Sequence, residues 1–151
     1  MSVLTERIAD VLKLDTVIAT HCADRVYPFD IRQAGPQASS VAEDASGFLY
    51  PTICVDDQGG ARNAFAFSGT TEDAIAVWIM AERGYDGSGT GIIEAVANRV
   101  MVLMHGWQDG PTRTYLTYAS RLGQQYDPAP DTGVLDRVTF RAASVLLTAQ
   151  F

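Results

Sequence analysis

The stretch from Glu72 to Trp107, EDAIAVWIMAERGYDGSGTGIIEAVANRVMVLMHGW, constrains this chain more than any other. Between Ala74 and Met80 apolar residues alternate with apolar residues: Ile75, Val77 and Ile79 fall on one side, Ala76, Trp78 and Met80 on the other. A strand with two apolar sides has to be covered on both faces. After Gly91 the period changes. Ile92, Val96, Val100, Leu103 and Trp107 recur at threes and fours while Glu94 and Asn98 fall elsewhere, which predicts an amphipathic helix over 91–107 with one stripe packed against the sheet. Thr70, ahead of Glu72 and Asp73, offers an alternative, a capped helix running to Gly84. Trp78 and the three β-branched residues weigh for strand.

The connector between these elements holds Gly84, Gly87, Gly89 and Gly91, and glycines at a helix start let backbone amides close on a phosphate. The details argue against that use. Gly84 and Gly89 have the spacing of a phosphate-binding loop, but Thr90 stands where a lysine must neutralise the phosphates, and Lys13 is the only lysine in the chain. The dinucleotide version needs a glycine where Glu94 places a carboxylate in the first turn of the helix. A surface loop whose Ser88 or Thr90 caps the helix is the simpler reading.

A length of 151 residues suits one domain with a real core and no internal linker. The net charge is −7, and ten arginines are scattered singly without forming a basic stripe, so a sequence-reading grip on nucleic acid is not expected. The longest apolar run, 74–81, is far short of the roughly 20 residues that span a bilayer, and no secretory segment is visible. A soluble protein made in a cytoplasm is expected. Two cysteines, Cys22 and Cys54, carry no disulfide-framework signal and are expected as reduced thiols.

Elsewhere, Leu4, Ile8, Val11 and Leu12 predict a short amphipathic helix, and a further helical turn follows Asp15. Residues 25–28, RVYP, read as a brief strand or an extended lead-in, because Pro28 disfavours helix at Tyr27. Asp30 to Gly47 is a long loop of Gln, Ala, Ser, Gly, Pro and Asp that either orders on a partner or stays in solvent. Pro51 to Val55 reads as a strand, and the DDQGG turn at Asp56 to Gly60 suggests a hairpin to a second strand at Phe65 and Phe67. Two more strands are expected, one around Tyr115 to Tyr118 and one over Val134 to Arg141, separated by a turn from Asp127 to Gly133.

The sharpest catalytic motif is Asp131-Thr132-Gly133, the triplet of an aspartic-protease dyad. It follows the proline-rich Asp127-Pro128-Ala129-Pro130 with no apolar strand leading in, so a surface turn explains it better. His21, Cys22 and Asp24 hint at a thiol nucleophile or a metal site. Adjacent helical residues point about 100° apart, only His105 remains as a second histidine, and no Cys-x-x-Cys exists. A buried thiol at Cys22 and a partly exposed imidazole at His21 are expected instead. Trp107, Tyr115, Tyr118 and Tyr126 are read as core or interface aromatics before a stacking platform for bases.

Taken together, RVYP at 25–28, YPTICV at 50–55, AVWIMAE at 76–82 leading to a helix, and TGVLDRVTFRA at 132–142 resemble the tail terminator family of tailed bacteriophages. The resemblance covers nearly the whole chain and rests on the order and spacing of elements together with these short matches. It implies a single α+β domain over 1–151, a mostly antiparallel β-sheet with one long helix and a short N-terminal helix packed on it. Such subunits form a ring, commonly a hexamer, that stops growth of the tail tube and offers a surface to the head completion proteins. The long 30–47 loop and the extended 84–91 connector depart from the family pattern.

The resemblance therefore implies a virion structural protein at the head-tail junction, assembled in the host cytoplasm, with no catalytic role, no cofactor and no bound metal. Its partners are further copies of itself, the tail tube protein and a neck or head completion protein, while DNA passes through the lumen unbound and no membrane is involved. A head completion or connector protein is the alternative within the same class, and a small-ligand or nucleotide-binding enzyme using Gly84 to Gly91 is the alternative outside it. Ring closure needs two different complementary patches on each subunit. Candidates are Arg32 in the first long loop, Tyr85 and Asp86 in the second, and Arg137 and Arg141 on one strand, where arginines can meet carboxylates of the next copy. Carboxylates facing the lumen are expected to repel phosphate and let DNA slide.

Overall fold

The computed structural model describes residues 3–29, 50–58, 70–82, 91–111, 113–123, 125–126 and 133–145. In chain order they form α1 (Val3–Leu14), α2 (Thr16–Cys22), β1 (Val26–Tyr27), β2 (Thr52–Asp57), β3 (Thr70–Glu82), α3 (Gly91–Met104), β4 (Gln108–Asp109), β5 (Thr114–Arg121), β6 (Gln125–Tyr126) and β7 (Gly133–Val145). The strands make one sheet in the order β1-β2-β3-β7-β5-β4, with β6 also lying on β7. Among the described residues β1 and β2 pair in parallel and the other pairings are antiparallel. This is the expected α+β architecture. The helices differ from expectation, since α1 has 12 residues, nearly the 14 of α3, and a third helix of 7 stands between α1 and the sheet's first strand.

The spine is the ladder between β3 and β7, in register from Thr70 opposite Val145 to Glu82 opposite Gly133. Alternation along these strands divides the side chains into two sets. Ile75, Val77, Ile79 and Ala81 of β3, with Val138, Phe140 and Ala142 of β7, face the helices and join Ile53 and Val55 of β2 in the main core. Ile8 and Leu12 of α1, Ile18 and Cys22 of α2, and Ile93, Val96, Ala97, Val100 and Met104 of α3 cover them, all with no more than 2% of their surface exposed. Each such Ile, Leu or Phe contributes about 1.5–3 kcal/mol relative to exposure. Cys54 and Met80 lie in a second, smaller cluster on the opposite face, with Tyr27, Phe29, Trp78 and Leu135 around them. The strand apolar on both sides is thus covered on both sides.

The α3 stripe is turned from the expected one. Val96 and Val100 are buried as read, but their buried companions are Ile93, Ala97 and Met104, while Ile92, Leu103 and Trp107 are half-buried at the margin. The helix is apolar on several sides, so periodicity admits two neighbouring stripes, and packing against both the sheet and α2 selects between them. The helix also stops before Trp107. His105 N–H donates to Met101 O, and Gly106 at φ +82° turns the chain away, a conformation that suits glycine.

Two further differences lie in the strands. Asp56 and Asp57 belong to β2 and not to a turn, paired with Ala76 and Ile75, because the long β3 offers backbone partners that outweigh the weak strand preference of aspartate. The expected strand at Phe65 and Phe67 lies outside the described residues; the antiparallel neighbour of β2 is β3. The pair β5–β7 carries a bulge: Tyr118 opposes Phe140, but Ser120 opposes Thr139, leaving Ala119 as the extra residue.

Candidate interaction surface

The face of the sheet turned away from the helices holds the residues of greatest interest. Trp78 and Arg137 stand directly opposite each other across the β3–β7 ladder, and the Arg137 guanidinium carbon lies 5.3 Å from the centre of the indole ring. Such a cation–π contact contributes about 0.5–2 kcal/mol. The Arg137 Nε is buried with no acceptor among the described residues. Cys54 opposes Trp78 on the other side, and Tyr27 packs on Phe29 with ring centres 5.9 Å apart. Burial first, and then the Asp24 carboxylate, push the Tyr27 phenol above its ordinary range, so it stays protonated as a hydrogen-bonding tip. Aromatic residues beside an arginine are the composition of binding hot spots.

Arg141, four residues along β7 from Arg137, shares this side of the sheet and is exposed, opposite Ala74 of β3 and Thr117 of β5. Tyr115, 43% exposed, stands nearby on β5 opposite Ala143. The two arginines expected to serve a common purpose are therefore on one face. Arg32, Tyr85 and Asp86, the other candidates, lie outside the described residues, as do the 30–47 loop, residues 84–90 of the glycine connector, and Asp131 and Thr132 of the protease-like triplet. Trp78 was legible from sequence as a strand residue, but its role as the platform under Arg137 needs the cross-strand register, for which one sequence carries no signal.

The helix side is fastened by charge. Arg7 of α1 donates to the buried Asp109 of β4. Arg99 of α3 grips Asp15, which also caps α2 by accepting from Ile18 N–H at 3.1 Å. Arg121 of β5 donates to Asp136 of β7 at 2.8 Å and to Asn98 of α3 at 2.6 Å. The bulge at Ala119 makes this last network possible: without the extra residue Arg121 would point to the opposite face, away from the buried Asp136.

Elsewhere the chemistry is quiet among the described residues. Cys22 is buried in the core, where desolvation pushes its thiol up to about 12, and a protonated thiol is a poor nucleophile near neutrality. His21 is half-buried beside it, and its carbonyl accepts from Arg25 at 3.2 Å. No group of three or more His, Cys, Asp or Glu side chains stands close enough to share a metal ion. Among the described residues no helix is long and apolar enough to cross a membrane. An open groove of about 510 Å³ runs along the β4–β5 turn, lined by Gln108, Asp109, Arg113 and Tyr115, and its carboxylate is already engaged by Arg7.

No protein-family model matches the chain, and no curated protein sequence does. Among solved structures the chain is similar in fold to one described as the virion of a native gene transfer agent (GTA) particle, at 17% sequence identity and a TM-score of 0.62. The likeness spans 93% of this chain and 92% of the other.

Proposed function

We propose that this chain is a structural subunit of a phage-type virion, one that closes into a ring, caps the tail tube and joins it to the head or neck. The observation that carries the reading is the likeness in fold, over almost the whole of both chains, to a chain of a gene transfer agent virion. The resemblance of residues 25–28, 50–55, 76–82 and 132–142 to tail terminators points the same way and supplies the finer role and the hexameric count.

The sheet face supports an assembly role. On it Trp78 and Arg137 are half-buried, one over the other, and Arg141 farther along β7 is exposed. A ring needs such a patch to meet a different patch on the next copy, since head-to-tail contacts close only when the subunit rotation closes. Arg137 and Arg141, and also Arg32, Tyr85 and Asp86 of the two long loops, are proposed as contact residues. The role is performed by shape and association and uses no reacting group. Its partners are further copies, the tail tube protein and a neck protein, and its place is the head-tail junction.

The test is the assembly itself. Light scattering on the purified chain, with negative-stain imaging, is expected to give a ring of constant mass over a wide concentration range, one that halts elongation when added to growing tail tubes. A chain that stays monomeric at every concentration, or a ring that leaves tube length unchanged, contradicts the reading.

A further inference from the structure

Resting on the ring reading, we infer that the turn between β4 and β5 is a contact between copies, where Arg113 takes a carboxylate of the next copy of the chain. The turn closes with the Arg113 N–H donating to the Gly110 carbonyl at 3.2 Å. Arg113 sits there at φ +54°, in the left-handed region where a glycine is at ease and a residue with a side chain is strained. An arginine at this position works against the local stability of the turn, and such an exception calls for a use elsewhere.

The fold itself supplies none. Arg7, Arg99 and Arg121 are paired with Asp109, Asp15 and Asp136, Arg25 donates to the carbonyls of Pro51 and His21, Arg137 lies over Trp78, and Arg141 has a partner as well. Among the described residues Arg113 is the arginine left over, exposed and with no ion pair, side-chain hydrogen bond or ring contact. It borders the open groove of about 510 Å³ together with the exposed Gln108 and Tyr115. Asp109, the carboxylate in that lining, is buried and already neutralised by Arg7, so the charge of Arg113 stands uncancelled. Its planar fork matches a carboxylate through two hydrogen bonds, and the Gln108 amide and Tyr115 hydroxyl are further donors along the same groove.

The next copy has the anion to give. With 18 acidic against 11 basic residues, carboxylates are in surplus, and Glu6, Asp10, Asp24 and Glu94 are exposed with no ion pair among the described residues. Holding a duplex takes several cations in a row, whereas this groove offers one, so its anion is a protein carboxylate and not a phosphate backbone. The turn also lies at the β4 end of the strand order, at the margin of the sheet, where a neighbour can approach from the side. None of the four free carboxylates is on this turn, so the contact joins two different patches, the head-to-tail kind that generates a ring.

The experiment compares Arg113→Glu, Arg113→Lys and Arg113→Gly with the unmodified chain, by light scattering over a concentration series and by thermal melting at a dilution where the chains are separate. Arg113→Glu is expected to weaken association roughly tenfold or more, because like charges then meet, and Arg113→Lys, which keeps the charge without the fork, by less. Arg113→Gly separates this role from a structural one: it relieves the backbone and is expected to raise the melting temperature by about 2–4 °C while still weakening association. If the unmodified chain forms a ring and the glutamate and glycine variants form it equally well, whether or not they lose their hold on tail tubes or on duplex DNA, this contact is overturned while the ring reading stands. A melting temperature that falls in Arg113→Gly makes the arginine a structural part of its turn and overturns the contact too. If the unmodified chain never associates, both the contact and the ring reading are overturned.

Discussion

Asp15 and Arg99 lie 84 positions apart in the chain, yet the Arg99 guanidinium closes on the Asp15 carboxylate at 2.6 Å through Nη2 and 3.0 Å through Nε. The same carboxylate caps α2, so one residue orders the start of that helix and ties α3 to it. The Arg99 hydrogen bond holds the Asp15 carboxyl below its ordinary range, against an opposing push from burial. A depressed carboxyl stabilises the fold above the unfolded-state pKa of about 3.9, and that stability is lost as pH falls through the native value. Asparagine keeps the cap and loses the charge; alanine loses both. Urea titrations are expected to show Asp15→Ala less stable than Asp15→Asn by about 1 kcal/mol. The acid-side slope of the native chain is expected to flatten in both variants, and an unchanged slope would count against the pair.

Cys22 offers a probe of core opening. Its thiol, pushed up to about 12 by burial, stays protonated in the folded chain where an unfolded thiol ionises near its ordinary 9.0. The folded state therefore keeps this contribution below about pH 9 and loses it as pH rises from there toward 12. Alkylation of Cys22 at pH 8, followed by mass spectrometry, is expected to proceed only as fast as the structure opens and to accelerate in step with urea. Labelling at the rate of a free thiol in the native protein contradicts the placement.

Asp136 is completely buried and is held by Arg121 and by the N–H of Arg137. Removing it strands a guanidinium between β5 and α3, where Asn98 alone cannot neutralise it. Breaking one half of such a pair costs about 3–5 kcal/mol when both partners are buried. Arg121 keeps 21% of its side chain exposed, which places Asp136→Ala near the lower end. Thermal melting is the measurement, and a loss below about 1 kcal/mol, the worth of a surface pair, would show that the network is not structural.

The proposed ring has to let DNA pass without holding it. With a net charge of −7 and arginines scattered singly along the chain, the assembled protein is expected to retain no duplex DNA on filters even at about 50 mM salt. Tight, salt-sensitive retention would reverse the expectation that carboxylates face the lumen.

Much of this fold was legible in one dimension. Two-residue alternation at 74–80 and 134–141 marked β3 and β7, the spacing of Leu4, Ile8 and Leu12 marked α1, and Asp15 preceded a helical turn as read. These are local signals, each carried by neighbours a few positions apart. The candidate face was half legible: Arg137 and Arg141 share a side by simple alternation, but nothing short of the register put Trp78 under Arg137.

What the amino-acid order determined by itself was that 74–80 and 134–141 run as strands and 4–12 and most of 91–107 as helix, because backbone geometry ties hydrophobic period to element type. Tertiary structure alone decided the stripe by which α3 packs, the continuation of β2 through two aspartates, and the extra residue at Ala119 that turns Arg121 toward Asp136. Each of these was a choice between local arrangements of similar energy. It was made by partners far away in sequence, where one residue of register sends a whole strand's side chains to the other face.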